Sequence, residues 1–550
     1  MFKRNPTIDK KTKLILAGIL LLAAFFRFYN SNWDNGNLFH PDERNIANAV
    51  SSITLFSQMD PKFYAYGGFL IYLYKFSADI LALFFHNSTI AHDWGWINII
   101  GRSYSAFFST ITIFPIYLLA AKVFSKQVGI LACLIFALTV ASIQTAHFST
   151  TENLLTFMVV LITYLSTHLY KHPSKKLVVL IGLLLGISVA TKTTGALFFL
   201  SPIIVLCIQF YKKPSSRYKT LSYFIMLGGC AFLVFSIFSP FTFLNWQKFL
   251  ESMKYENGVV QGTNRVVYTL QFTHTIPYLF QIKNLFWQLG LFAIVAFIGT
   301  LTTIWDEVRK RRMIFLIFLS FPLAYFLYVG IWYTKFNRYM VPILPFLIIL
   351  GSNLLLLIFL RYRRVGRALI ILSVLITAFW ALAFFSIYLN KQTRVSTSEW
   401  IYQNIPTGKF ILSEHWDEGL PIPLPQGSPS SYKQLPLTIY EPDNDQKINY
   451  FADYLTQADY ITINSRRLYG TLLYLPEKYP ITQRYYQHLF SGKLGYKKIA
   501  EFSSYPTFMG YTINDDTSEE TFQVYDHPKT YIFKNVLHLS PETIKQRLIK

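Results

Sequence analysis

Long apolar runs alternate with short polar breaks along the first 390 residues, and then they stop. The runs fall at 14–29, 65–86, 98–122, 127–146, 150–170, 176–191, 194–211, 219–239, 284–305, 313–330, 338–360 and 366–388. Roughly 20 apolar residues in a helix span the hydrocarbon of a bilayer, and a helix satisfies its own backbone there. The pattern therefore predicts transmembrane helices. Beyond Lys391 the chain is polar, with proline-rich patches such as Pro421-Ile422-Pro423-Leu424-Pro425. Helices are expected there at 396–404 and at 480–490, the latter opening on a proline. Strands are expected at 409–413, 458–464, 497–502 and 522–525 with 530–534. The expected architecture is mainly α, a polytopic membrane domain over 1–390 followed by an α/β domain over 391–550.

Composition supports the membrane reading. Of the 550 residues, 52% are hydrophobic and only 15% charged, an apolar balance unusual for a soluble chain of this length. The net charge of +22 would suit a nucleic-acid partner in a soluble protein. Here the Lys/Arg clusters sit in short breaks between apolar runs, where they orient helices, so no nucleic-acid partner is expected. The clusters lie at Lys3 to Lys13, Lys122/Lys126, Lys171 to Lys176, Lys212 to Lys219, Arg309 to Arg312 and Arg361 to Arg367. They share one side only if 65–86 does not cross. That run carries Tyr66, Tyr72, Tyr74, Lys75 and Asp79, an amphipathic make-up that suits the membrane interface. About eleven spans remain, with the N-terminus cytoplasmic and the C-terminal domain outside. The outer face then holds a first loop at 30–97 and a long loop at 240–284. Phe25 to Tyr29 lack the small residues of a signal-peptide cleavage site, so the first helix is read as retained. Cys133, Cys207 and Cys230 fall in apolar runs and imply neither a metal site nor a disulfide framework.

This topology gathers the unusual residues on the outer side. Asp42 and Glu43, flanked by His40 and Arg44, lie in the first loop. Neighbouring carboxylates in a partly desolvated pocket raise one another's pKa, which suits a general base. An ordinary solvated loop with a capping Asp is the plainer alternative. Glu152 follows His147 at the edge of an apolar run, where a carboxylate faces a cavity or caps a helix. Lys192, Lys335 and Arg338 interrupt apolar runs; they suit phosphate oxygens or snorkel to the interface. Arg265 stands in the long loop as a further contact for substrate. His40, His147 and the acids match no metal-ligand template, so a divalent metal is not favoured. There is no Walker A, G-x-G-x-x-G or G-x-S-x-G segment.

Together these residues resemble the GT-C glycosyltransferases, in particular glycosyltransferase family 39 and the dolichyl-phosphate-mannose protein mannosyltransferase-like group. The resemblance rests on Arg27-Phe28, His40-Pro41-Asp42-Glu43, Gly101-Arg102, Ser149-Thr150-Thr151-Glu152-Asn153-Leu154-Leu155, Ala190-Thr191-Lys192 and the Arg338-Tyr339-Met340-Val341-Pro342 segment. It covers approximately residues 12–390. The tail, with Ser398-Glu399-Trp400-Ile401 and Val524-Tyr525-Asp526-His527-Pro528-Lys529, looks like that of bacterial members. The resemblance implies inverting transfer of a sugar from a polyprenyl-phosphate donor to a protein, lipid or glycan acceptor on the outer face of the plasma membrane. Because the leaving group carries a single phosphate, fixed cations can replace a metal, and no cofactor is expected. It makes Asp42 the catalytic base with Glu43 beside it. Glu152 takes the second acidic position, where many members have Asp after an arginine. The competing class is a transporter or flippase of a lipid-linked sugar, which would place its charges near the midplane and show two similar halves.

Overall fold

The structure is a computed structural model that describes residues 9–549. It divides into two compact units. The first comprises the N-terminal segment through Asn32 with Gly36–Asn257 and Pro277–Leu382; the second comprises Trp33–Asn35, Gly258–Ile276 and the chain from Ala383 onward. Part of the stretch read as a long loop, at 258–276, thus belongs to the second unit.

The first unit is helical. Its elements are α1 (Lys10–Phe28), α2 (Pro41–Ser51), α3 (Gly68–Phe84), α4 (Trp94–Ile111), α5 (Ile113–Val123), α6 (Lys126–Ala137), α7 (Val140–Ala146), α8 (Glu152–Lys171) and α9 (Lys175–Thr191). There follow α10 (Leu200–Lys212), α11 (Arg217–Phe238), α12 (Phe241–Leu244), α13 (Trp246–Gln261), α14 (Leu279–Leu289), α15 (Phe292–Lys310), α16 (Met313–Gly330), α17 (Leu344–Arg361) and α18 (Arg363–Leu389). Among the described residues, seven helical segments are long and apolar enough to cross a membrane, or eight if the bent pair α6 and α7 counts as one. The hydropathy runs suggested about eleven. The difference lies in helices such as α9, which has 17 residues, and α1, which carries Lys10, Lys11, Lys13 and Arg27.

The bend between α6 and α7 is 54°. It leaves the last carbonyls of α6 without helical donors. Arg27 of α1, fully buried, supplies them, donating to Phe136 O and Ala137 O at 3.0 Å each and to Ser109 Oγ at 2.8 Å. One buried cation thereby ties α1, α4 and the break together.

The second unit holds a five-stranded sheet of order β2-β1-β3-β7-β4. Its strands are β1 (Phe410–Glu414), β2 (Lys433–Leu437), β3 (Tyr460–Ile463), β4 (Tyr496–Phe502) and β7 (Thr530–Asn535), with a small hairpin of β5 (Thr507–Phe508) and β6 (Tyr511–Thr512). β1 runs parallel to β2 and β3, whereas β7 runs antiparallel to β3 and β4. Helices α20 (Asp445–Gln457), α21 (Tyr469–Leu472), α22 (Pro480–Phe490) and α23 (Pro541–Ile549) contribute Phe451, Leu472, Tyr485 and Leu548 to a core shared with Leu412, Ile461 and Phe533 of the sheet. Ile411 and Ile532 are buried as well, and α19 (Thr393–Asn404) packs on β4 and β7. A sheet covered on both faces explains why all four residues of β3 are buried. The strand expected at 522–525 is instead a 3-10 turn, Glu520–Phe522, whose apolar residues are buried by packing without a ladder. β2 has no apolar alternation and contains Pro436; it is an edge strand, the one place where a sheet tolerates proline.

Candidate active site

The site is built where α2, the start of α8, the end of α9 and the Asn337–Ile343 turn meet. α2 begins with Pro41 at its first position, and His40 caps it by accepting the Asp42 N–H at Nδ1, 3.2 Å away. The cap and the helix N-terminus favour carboxylates in the first turn. Asp42 and Glu43 both occupy that turn, yet they differ completely in surroundings. Asp42 is part-exposed and ion-paired to Arg338 Nη1 through Oδ2. Glu43 is buried and forms a two-pronged pair with Arg102, Oε1 to Nε at 2.9 Å and Oε2 to Nη2 at 2.7 Å. Its Oε1 also accepts the Ser149 N–H at 2.6 Å, while Arg102 Nη1 donates to Ser31 O at 2.8 Å. This network clamps α2 to α4 and to the turn that opens α8. It needs close approach: a Cβ at Gly101 would lie 1.8 Å from Ser149 Oγ and 2.8 Å from the Tyr74 ring.

Glu152, buried at the first position of α8, faces Lys192 at the end of α9, Oε1 to Nζ 3.4 Å. Its other oxygen, Oε2, is buried and has no hydrogen-bond partner among the described residues; the same holds for Arg338 Nε. Lys192 Nζ lies 5.2 Å from the Tyr66 ring centre and 5.8 Å from that of Tyr339. The Arg338 guanidinium lies 5.9 Å from the same Tyr339 ring. Two acids and two cations therefore surround Tyr339, whose carbonyl accepts the Tyr325 hydroxyl at 2.9 Å. A narrow cleft lined by Glu152, Lys192, Thr194, Tyr325, Arg338 and Tyr339 opens among them. Lys192 is held by backbone: Gly67 N–H donates to Thr191 O at 3.0 Å, and a Cβ at Gly67 would strike Ala190 O at 2.0 Å.

Other sequence-derived candidates stand apart from that cleft. Lys335 is buried, donates to Tyr333 O at 2.8 Å and does not line the cleft; burial pulls its ammonium down to about 8. His147 is buried with Nδ1 2.8 Å from Ile143 O and Nε2 2.9 Å from Tyr29 O, so both ring nitrogens face backbone carbonyls. His40 packs against Phe148, ring centres 4.8 Å apart. Arg44 is half-buried one residue beyond Glu43 on α2. Arg265 is in the second unit, exposed, with Nε donating to Gly262 O at 3.2 Å.

Sequence reasoning missed Glu256 and the pairing role of Arg102. Glu256, on α13, is half-buried; burial holds its carboxyl above the ordinary value against the pull of Lys192. Arg102 had a legible signal, because an arginine inside an apolar run demands a carboxylate partner. Among the described residues no group of three or more His, Cys, Asp or Glu side chains converges as metal ligands would.

Residues 95–244 match the family model described as dolichyl-phosphate-mannose-protein mannosyltransferase. The fold resembles the oligosaccharyltransferase AglB of Archaeoglobus fulgidus, solved with an inhibitory peptide and a dolichol-phosphate: TM-score 0.54, 14% identity, 92% of this chain and 75% of that one. A second structure of that enzyme, a complex with Zn and sulfate, gives a TM-score of 0.52 at 15% identity over 91% of this chain and 73% of that one. ArnT from Cupriavidus metallidurans, bound to undecaprenyl phosphate, gives a TM-score of 0.47 and 12% identity over 96% of this chain and 99% of that one. No curated protein sequence matches this chain. At 14–15% identity these likenesses show that the fold is shared with AglB.

Proposed function

We propose that the protein is an inverting glycosyltransferase that takes a sugar from a polyprenyl-phosphate donor and passes it to an acceptor hydroxyl on the outer face of the membrane. The carrying observation is the ring of two acids and two cations about Tyr339, with a buried Glu152 oxygen and the Arg338 Nε left without hydrogen-bond partners. Such a site is arranged for a ligand that both accepts and donates hydrogen bonds. A sugar phosphate meets both requirements. Support from relatives is the mannosyltransferase match and the dolichol-phosphate of AglB.

In the proposed reaction Asp42 removes the proton of the acceptor hydroxyl as its oxygen attacks the anomeric carbon. The bond from that carbon to the phosphate oxygen breaks on the opposite face, and the carbon inverts. The electron pair leaves on the polyprenyl phosphate, where growing charge is met by Lys192 and Arg338. The proton on Asp42 then passes to water. Before donor arrives Arg338 is paired with Asp42, which keeps the carboxylate occupied. A donor phosphate competes for Arg338 and frees the base, so donor binds before acceptor. Glu43, bound to Arg102 and Ser149, positions α2 and takes no proton in this scheme. Lys335, with its ammonium engaged by Tyr333 O, supports the loop ahead of Arg338. Fixed cations at the phosphate make a divalent metal unnecessary; activity abolished by a chelator and restored by a divalent ion would overturn that part.

The test is sugar release from a pool of polyprenyl-phosphate sugars by membranes containing wild type, Asp42→Asn or Glu152→Gln at matched expression. Wild type should consume a donor, and Asp42→Asn should fall by roughly 10²- to 10⁴-fold, the usual worth of a general base. Equal turnover by Asp42→Asn would remove it as the base. Accumulation of unreacted lipid-linked sugar on the far side of wild-type vesicles, without release, would favour the flippase reading.

A further inference from the structure

The second unit contains a cavity of its own. It has a volume of about 450 Å3 and is lined by Arg265, Trp416, Tyr440, Asp443, Lys478 and Tyr479, all residues of that unit. Its floor is the Val267–Phe272 turn, whose Leu270 belongs to the sheet core. The volume suits a ligand of one or two sugar rings.

Trp416 is the unusual feature. It lies two residues beyond β1, yet its side chain is absent from the core that the strand helps to build and is 40% exposed. Its φ is +75°, a left-handed conformation that bulky residues rarely adopt. The backbone is held there from both sides. Arg467 donates to Trp416 O at 3.2 Å, and the next residue, Asp417, is buried in a pair with Arg394 at 2.7 Å. The ring contacts of Trp416, with Tyr268, His415 and Tyr440, are all edge-on, at 64°, 80° and 70°. No ring stacks on the indole among the described residues. Tyr440 is itself oriented by a 2.8 Å bond from its hydroxyl to His415 Nδ1.

The charge of the cavity is positive. Asp443 is already satisfied, by Lys447 Nζ at 2.7 Å and by the Ile481 and Thr482 N–H groups. Lys478 makes no ion pair among the described residues and lies 5.1 Å from the Tyr479 ring centre. Arg265 is the other cation of the lining, and Asp443 is its one acid.

We propose that this cavity is a binding site for an anionic saccharide. The C–H face of a pyranose ring packs on the indole of Trp416, and a carboxylate or phosphate on the sugar meets Arg265 and Lys478. Hydrophobic stacking selects a ring and the cations select its charge. The inference does not depend on the transferase reading, since it concerns binding alone.

Calorimetric titration of the full-length protein tests it, with tetragalacturonate, mannose 6-phosphate, neutral maltotetraose and inorganic phosphate as probes. Tetragalacturonate or mannose 6-phosphate should bind saturably, and whichever does identifies the anionic group. Trp416→Ala and the double change Arg265→Gln/Lys478→Gln should each weaken binding by about tenfold or more. Trp416→Phe, which keeps an aromatic face, should retain most of it and guards against simple misfolding. Maltotetraose should bind far more weakly than either acidic sugar. The proposal is overturned if neither acidic sugar saturates, if Trp416→Ala binds as wild type does, or if inorganic phosphate matches the sugars.

Discussion

Two adjacent carboxylates, Asp42 and Glu43, show how much one helical step decides. Glu43 points into the packing between α2 and α4 and meets Arg102 in a buried pair. Asp42, part-exposed, meets Arg338, which lines the cleft. Removing one charge from a buried pair strands the other, at a cost of about 3–5 kcal/mol. Glu43→Gln is therefore expected to lower the melting temperature of the detergent-purified protein, while Asp42→Asn leaves it nearly unchanged and sharply slows transfer. A Glu43→Gln protein as stable as wild type would contradict the clamp. The paired state of Arg338 also predicts order: initial-rate kinetics should show donor binding first, and random addition would count against the exchange.

At the scale of elements, the site depends on how closely backbones approach. α4 meets the turn before α8 at Gly101, where any side chain collides with Ser149. Ser149 N–H holds Glu43, so Gly101→Ala should disturb α2 without touching a charged residue. The expected outcome is a several-fold drop in transfer together with faster hydrogen exchange in α2; unaltered exchange would show that the turn adapts. The 54° break between α6 and α7 is likewise an element-scale device, made tolerable by the buried guanidinium of Arg27.

At the scale of the whole molecule, the two units answer to different chemistry. The second unit carries titratable groups deep in its interior. His527 lies between Asp515 and Asp526, 2.6 Å from each. Burial alone would lower its pKa, but the two aspartates prevail and raise it to about 10. A raised histidine stabilises the fold fully below its ordinary value of 6.5 and loses that contribution as pH rises to about 10. Burial pushes Glu414 up to about 8 and Glu520 up to about 7 despite Arg467. Those two favour the fold below 4.5 and cost stability as pH rises through 7 and 8. The second unit should thus weaken steadily from pH 4.5 to 10, read as hydrogen exchange in β4 and β7. His527→Gln should flatten the part above pH 6.5; an unchanged slope there would show that His527 does not govern it.

The amino-acid sequence by itself determined the division into an apolar helical part and a polar α/β part, because hydrophobic periodicity and proline placement act over one element at a time. It also exposed Asp42, Glu152, Lys192 and Arg338, since charges beside apolar runs are costly enough to be conspicuous. It did not determine the span number, because α9 is too short and α1 too basic for hydropathy alone to place them. Strand β2 escaped notice because an edge strand needs neither alternation nor a full set of N–H donors. Only the tertiary structure decided which carboxylate is buried, which cation each acid meets, and that Arg265 belongs to the second unit. Those outcomes depend on pairings between residues as far apart as Asp42 and Arg338, and no local pattern encodes a partner 296 positions away.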